Sequence, residues 1–481
     1  MSKLKNRIAV TGWPIVVACL LFQATTSFAS GNMDAEYGAE SASLVEAQMG
    51  IYLDSESTEY VRAVGNRLVN VLRDDRFTFQ FHVVDDSSPN AFALPGGYVY
   101  VTRGLLALLQ TEDELAGVMA HEIIHVTGRH GVRRAKRGLF GELLQAPGRI
   151  VGGLVDPAVG AMINAPIAGA SELVLASYSR GQEKEADKEG IQLMARAGYD
   201  PTQLSQILTR LSDVVEVMTG QLEKRTMQAD HPITDDRVEY LERSSAKLKS
   251  NPAKPVAEDL YSMLDGLTIG PNPERGVFLD EAFLHPGLNL ALVFPSGWQT
   301  FNLPVAVGAV SPEQDAALFY SLQSREKTPT EQGRAFVAQL PVEYRDLLAR
   351  SEAVKVNGIS AYVVTLVQNP RSGQKIYLHI AWAAFDKYTL HLSAFGSESS
   401  QQILRDSARG FRKLTRSDRA GIKRRQLAIA IARPGESVDD FSKRVGNHWS
   451  GPLTRVINDI DGNTIEKQRM KILEVSPYFG Y

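Results

Sequence analysis

Cysteine is almost absent from this chain of 481 residues, since Cys19 is the only one. A single thiol cannot form an intramolecular bridge, so a disulfide-stapled fold is excluded. A strong charge of one sign is missing too, because the formal net charge at pH 7 is only −3. This balance gives no indication of the basic surface that a nucleic-acid partner would need.

Long hydrophobic runs are also scarce. The apolar stretch from Ile8 to about Phe22 is short for a membrane-spanning helix and contains Pro14. Basic residues precede this stretch, and Ser27-Phe-Ala29 follows it as a small-x-small cleavage signal. We therefore expect residues 1–29 to be a signal peptide for export to the periplasm. In an alternative interpretation, Val16-Val-Ala-Cys19 resembles a lipobox, which would leave a lipoprotein acylated at Cys19.

The most informative segment that is present runs from His121 to His125 and reads H-E-x-x-H. On a helix, residues four apart share a face, so both imidazoles can reach one ion while Glu122 holds a water on it. Thr111 and Glu114 predict the start of that helix as a T-x-x-E capping box. The alternative is a buried helix with two incidental histidines, because this short pattern also occurs by chance.

A second segment, from Tyr178 to Asp187, supplies carboxylates. It lies in a helix that is predicted to run from about Glu172 to Ala197 and to stop at Gly198. Zinc held by two histidines needs a third protein ligand and an open position for water. We predict that Glu183 binds the metal. Asp187 lies four residues later on the same helical face, where it would accept a hydrogen bond from a ligand histidine and fix its tautomer. The alternative for such a charged cluster is a solvated helix face.

Five ordered blocks of sequence give the chain a family resemblance. The blocks that carry it are Asn90-Ala-Phe-Ala-Leu-Pro-Gly-Gly97 with Gly104-Leu-Leu106, Glu114 to His125 with Arg129-His130, Tyr178-Ser-Arg180 with Glu183-x-Glu-Ala-Asp187, Ala197-Gly-Tyr-Asp-Pro201, and His231-Pro232 with Arg237. The chain resembles the HtpX/BepA-like zinc metallopeptidases. The resemblance implies a gluzincin-type endopeptidase with one Zn²⁺ held by His121, His125 and Glu183. It departs from the family at Ile124, where such enzymes usually carry a small residue.

Further site roles also come from this resemblance. It implies that His231 and Arg237 assist catalysis as polar groups beside the developing negative charge. In an alternative role, His231 occupies the fourth metal position of a latent enzyme. Asn90, Ala91 and Phe92 are assigned to the wall of the substrate cleft. His130 lies on a different helical face from His125, so we expect a structural role for it.

The length predicts two or three domains. The predicted fold is α+β: a mainly helical, zincin-like metalloprotease domain, an antiparallel α+β domain and a small LysM-like module. After residue 274 the sequence alternates in the manner of strands, which are predicted over 288–294, 359–367, 375–385 and 388–395 and are followed by a helix over 399–414. His379 and His391 lie in these strands and are interpreted as satisfied sheet residues. The predicted boundaries are 30–255 for the metallopeptidase domain, 256–273 for a linker, 274–418 for the α+β domain and 424–476 for the LysM-like module.

Together these features predict a zinc-dependent endopeptidase of the bacterial envelope that cleaves exported or outer-membrane proteins in quality control. Envelope assembly machinery is an expected partner. One alternative is a zinc-stabilised periplasmic chaperone or assembly factor with little proteolysis. In a second alternative, the main role of the protein is the binding of peptidoglycan by the last module. The apolar, proline-interrupted residues 137–176 are interpreted as short helices over the cleft, with peripheral membrane contact as the alternative.

Overall fold

The computed structural model describes residues 32–131, 178–218, 231–250, 259–313, 315–369, 375–462, 464–466 and 468–478. The predicted signal peptide and the predicted cover over residues 137–176 lie outside these residues. Within the described ranges, no helix combines the length and the apolar character needed to cross a membrane.

The N-terminal domain is mainly helical, as predicted, with one small sheet. The sheet has the order β1-β3-β2, with β1 parallel and β2 antiparallel to the central strand. Its strands are β1 (Gln80–Val84), β2 (Ala91–Leu94) and β3 (Tyr98–Thr102). The helices are α1 (Asn32–Gln48), α2 (Ser55–Asn70), α3 (Arg103–Leu106), α4 (Glu112–Thr127), α5 (Arg180–Ala197), α6 (Gln203–Val217), α7 (Asp235–Ser245) and α8 (Leu260–Leu264).

Helix α4 carries the H-E-x-x-H segment and is buried over almost its whole length. The predicted T-x-x-E capping box at its start forms only in part. The Thr111 hydroxyl accepts the Glu114 N–H, but the Glu114 carboxylate accepts the N–H of Gln110 at 2.6 Å instead of that of Thr111. The other oxygen of Glu114 forms a buried ion pair with Arg210 of α6 at 2.7 Å. The capping box is therefore incomplete, and Glu114 instead joins α4 to the preceding segment and to α6.

Helix α5 packs along α4 and brings the second segment to the first. It begins at Arg180, not near residue 172 as predicted, because Ser179 caps it in a reciprocal box with Gln182. It ends as predicted at Gly198, which adopts a left-handed conformation with φ 85°. Gly190 lies at this helix contact, where a Cβ would be at van der Waals distance, 3.4 Å, from the backbone nitrogen of His121.

The second domain is an antiparallel α+β unit, as predicted. Its large sheet has the strand order β10-β11-β12-β13-β9-β8-β7, and a smaller sheet has the order β14-β6-β5-β4. The strands are β4 (Val277–Leu279), β5 (Ala282–His285), β6 (Leu290–Val293), β7 (Gln299–Asn302), β8 (Val307–Val310), β9 (Ala316–Ser324), β10 (Leu348–Val356), β11 (Ile359–Gln368), β12 (Ile376–Ala384), β13 (Tyr388–Ser397) and β14 (Phe411–Arg412). The helices are α9 (Pro329–Gln339), α10 (Gln401–Ser407) and α11 (Arg416–Gly421).

Alternation along the large sheet separates two apolar layers. Tyr362, Val364 and Leu366 of β11 pack in the cluster that α9 covers, while Ala361 belongs to the cluster on the opposite face. The helix predicted over 399–414 is shorter, because α10 ends at Ser407 and the chain then pairs with β6 as β14.

The last unit consists of β15 (Lys423–Ile431), β16 (Glu436–Ser437), α12 (Val438–Val445), α13 (Gly451–Ile457), β17 (Thr464–Ile465) and β18 (Arg469–Pro477). Strands β15 and β18 pair antiparallel. Leu427 and Ile457 of this unit lie in the same hydrophobic cluster as α4. The predicted linker contains α8, whose apolar side chains are buried in that cluster. The linker also bonds to β15, because the N–H of Leu427 donates to the carbonyl of Leu267 and the N–H of Gly266 donates to the carbonyl of Leu427.

Candidate metal centre

Four side chains from three separate parts of the N-terminal domain converge on one buried point. His121 and His125 come from α4, Glu183 from α5, and His231 from the segment before α7. One donor atom from each lies within 4.8 Å of the other three. The structure thus brings together all three predicted ligands and adds His231.

The spacing of these donor atoms fits a single tetrahedral cation. His121 Nε2 lies 2.9 Å from His125 Nε2 and 3.2 Å from His231 Nδ1. Glu183 Oε1 lies 3.0 Å from His231 Nδ1 and 3.4 Å from His125 Nε2. Ligands about 2.0–2.1 Å from a tetrahedral zinc ion are roughly 3.3–3.4 Å from one another. The donor set therefore has the chemistry and the spacing of a site for one metal cation.

The charges of the cluster also call for a cation. Three buried carboxylates, on Glu122, Glu183 and Asp187, face one guanidinium, on Arg237. Burial lowers the pKa of His121, but Asp187 and Glu183 outweigh it and raise the pKa to about 9. Burial and the neighbouring imidazoles hold the pKa of His125 well below its usual value, although Glu183 opposes them.

Asp187 lies where the sequence predicted it, behind a histidine of the cluster. Its Oδ1 is 3.0 Å from His121 Nδ1, the ring nitrogen that faces away from the other donors. Arg237 donates to both oxygens of Asp187 at 2.8 Å and lies 3.1 Å from Glu183 Oε2. It also donates to the carbonyl oxygen of His231 at 3.4 Å. Arg237 thus joins α5 to the segment that carries His231.

Two residues were not assigned to the site from the sequence. His130, for which a structural role was predicted, contacts a candidate ligand, because its Nδ1 lies 2.9 Å from His125 Nδ1. The ring of Tyr178 stacks on that of His125, with centroids 3.8 Å apart. The sequence signal was present in both cases, since each lies in a block that carries the family resemblance, but helical spacing alone could not place a side chain beyond the end of α4.

The residues assigned to the cleft wall are less accessible than expected. Asn90, Ala91 and Phe92 are all at most 3% exposed, and Ala91 and Phe92 form the start of β2 at an edge of the small sheet. Ile124, the departure from the family pattern, is buried in the apolar core around α4.

Comparison with known proteins agrees with this geometry. Residues 55–245, which include all four donors, match Peptidase family M48. The beta-barrel assembly-enhancing protease of Escherichia coli (strain K12) is 28% identical over 284 residues, covering 54% of this chain and 56% of the relative. The corresponding protease of Yersinia pestis is 30% identical over 231 residues, covering 46% and 45%. The mitochondrial metalloendopeptidase OMA1 of Schizosaccharomyces pombe is 33% identical over 193 residues, covering 39% and 52%.

The chain thus spans about half the length of the curated relatives that it matches. The match of residues 55–245 to Peptidase family M48, together with the similarity to beta-barrel assembly-enhancing proteases, confirms the predicted HtpX/BepA-like resemblance.

Proposed function

We propose that this protein is a zinc-dependent endopeptidase of the bacterial envelope. The observation that carries the proposal is the convergence of His121, His125 and Glu183 on one point, with Glu122 buried beside it. These three side chains would hold Zn²⁺. When bound, the cation would supply Lewis-acid polarisation of a scissile carbonyl and activation of a water molecule. Zinc is preferred to other divalent metals because two imidazoles and one carboxylate form its usual hydrolytic ligand set.

Glu122 is the proposed proton carrier. Its side chain is fully buried and its Oε1 lies 3.5 Å from His231 Nε2, so it is held at the same point as the donor atoms. The carboxylate would take the proton of the attacking water and deliver it to the nitrogen of the leaving amine. A buried carboxylate suits this task because its proton affinity responds strongly to nearby charge.

Arg237 is proposed to act by positioning. The sequence suggested a direct role at the developing oxyanion, yet its guanidinium already donates to both oxygens of Asp187 and lies against Glu183. These contacts orient the carboxylates that in turn face His121 and the metal position. Its removal should therefore change metal affinity as well as turnover.

His231 is proposed to be a latch. Its Nδ1 completes the tetrahedral set at 3.2 Å from His121 Nε2 and 3.0 Å from Glu183 Oε1, which is the position that an attacking water needs. Opening would require the segment before α7 to move. Replacing His231 with alanine should therefore raise cleavage of an unstructured protein such as casein. Unchanged or lower activity at full zinc content would refute the latch.

The matched relatives support an envelope location and protein substrates, since several are named as beta-barrel assembly-enhancing proteases. We therefore propose that the chain acts in the periplasm on exported or outer-membrane proteins, alongside assembly machinery. These names favour proteolysis over a chaperone that cleaves little. The LysM-like resemblance of the last unit adds the proposal that it binds peptidoglycan, which a pull-down with purified peptidoglycan would test.

The deciding experiment compares wild type with Glu122→Gln. Both should contain close to one zinc per chain, because the glutamine leaves the three proposed ligands intact, but only wild type should cleave casein in a chelator-sensitive manner. Glu189→Gln is the matched control, because the Glu189 side chain on α5 is 43% exposed and pairs with Lys188 instead of the metal centre. Cleavage by Glu122→Gln at close to the wild-type rate would refute the assignment of the base.

A further inference from the structure

A cavity of about 240 Å³ lies in the second domain, between the large sheet and α10. Much of its lining is apolar and comes from alternate residues of β10, β11 and β12, on the sheet face opposite to α9. Val356, Val363 and Ala381 are among them, and Ala408 and Phe411 line another part of the cavity. This interior is distinct from the metal centre and plays no part in the proposed peptidase mechanism.

The charged side chains that line the cavity are all positive. Arg350, Arg405 and Arg409 all line the cavity, and no carboxylate does so among the residues that the structure describes. Arg350 is paired with Glu352, whereas Arg405 and Arg409 form no ion pair within the described ranges. Both are exposed, so the guanidinium groups lie where the apolar interior meets solvent.

One buried polar group in the lining is incompletely bonded. His379 is 5% exposed, and its Nδ1 lies 3.1 Å from the Thr365 hydroxyl across the β11–β12 pair. Its Nε2 is buried and has no hydrogen-bond partner within the described ranges, contrary to the expectation of a satisfied sheet histidine. A buried polar atom without a partner is costly, and such an exception in a native fold calls for an explanation.

We propose that this cavity binds a single-chain anionic amphiphile, with its alkyl chain against the sheet and its head group between Arg405 and Arg409. An apolar interior with a cationic opening complements a molecule that is apolar at one end and anionic at the other. A cavity of about 150 Å³ accepts benzene, so one of 240 Å³ has room for a chain of roughly ten carbon atoms. A carboxylate and a phosphate monoester share the chemistry of the head group.

The test is calorimetric titration of the full chain with decanoate, kept below its micellar concentration. We expect saturable binding of one molecule per chain. The double variant Arg405→Gln/Arg409→Gln should weaken binding by at least about tenfold, because each charge-assisted hydrogen bond contributes roughly that much. Arg416→Gln is the matched control, since Arg416 is exposed on α11 and does not line the cavity.

Further ligands separate the parts of the proposal. Decyl phosphate in place of decanoate identifies which head group is preferred, and tighter binding of either supports the site. Decyltrimethylammonium should not bind. Val363→Phe, which fills the cavity from the sheet side, should abolish binding while circular dichroism shows an intact fold. The proposal is overturned if decanoate does not saturate, if the cationic amphiphile binds equally well, or if the double variant binds like Arg416→Gln.

Discussion

Replacing Asp187 with asparagine tests how the metal centre is supported from behind. Asp187 serves two partners at once, because one oxygen lies 3.0 Å from His121 Nδ1 and both oxygens accept from Arg237 at 2.8 Å. Asparagine offers one acceptor oxygen and an N–H₂ group that cannot accept. Either His121 or the 8% exposed guanidinium of Arg237 would therefore face a donor in place of an acceptor.

The expected loss is near the upper end of the 10- to 100-fold range in metal affinity that is typical of such outer partners, which corresponds to about 1.4–2.7 kcal/mol. The assay is competition for Zn²⁺ between the protein and a chelator of known affinity at fixed pH, which requires no cleavage. Glu189→Gln is the control, since this half-buried residue of α5 pairs with Lys188, and the variant should bind zinc normally. A zinc affinity within twofold of wild type for Asp187→Asn would refute the reasoning, whatever happens to activity.

Two further predictions concern stability. Lys471 is fully buried, and its Nζ donates to the carbonyl oxygens of Ala107 and Leu109 at 3.0 and 2.8 Å. Lys471→Met should lower the free energy of unfolding, measured in urea, by about 2–4 kcal/mol, because it leaves these two carbonyls without a donor. A loss no larger than that of Lys423→Met, at an exposed position, would contradict this. Burial lowers the pKa of His391 to about 4, so below its unfolded value of roughly 6.5 the unfolded chain binds a proton that the folded one does not. Stability should therefore fall as the pH is lowered from 6.5 to 4, by about 2 kcal/mol at pH 5 from this residue; unfolding of His391→Asn that is just as pH-sensitive would count against the assignment.

The sequence predicted those parts of the site that local periodicity determines. His121 and His125 are four apart on α4, and Glu183 and Asp187 are four apart on α5, so each pair shares a face wherever the helices lie. His231 could be named only through the family resemblance, because no helical spacing constrains the segment before α7. The partner of Arg237 was predicted less well. Whether its guanidinium faces a developing oxyanion or Asp187 depends on tertiary packing, which the sequence does not reveal.

The contrast between local periodicity and tertiary packing also explains which elements of the fold were predicted. Strands with strong alternation, such as β11, β12 and β13, were predicted within one or two residues. Short elements such as α8 and β2 were missed, because their few residues carry no periodic signal and are fixed by burial. Helix α10 was predicted too long, since Phe411 pairs with Leu292 where sequence alone favoured a further turn of helix.

The attachment of the last unit shows why domain boundaries drawn from composition are incomplete here. The Nζ of Lys471 reaches the carbonyls just before α4, and Gln110 in the same stretch donates to the carbonyl of Ile457. Gln110 also gives its backbone N–H to Glu114, which in turn pairs with Arg210 of α6. One hydrogen-bond network therefore runs from β18 to the first turn of the helix that carries His121 and His125. The C-terminal unit is thus bonded to the start of α4, although none of the four candidate donors comes from it.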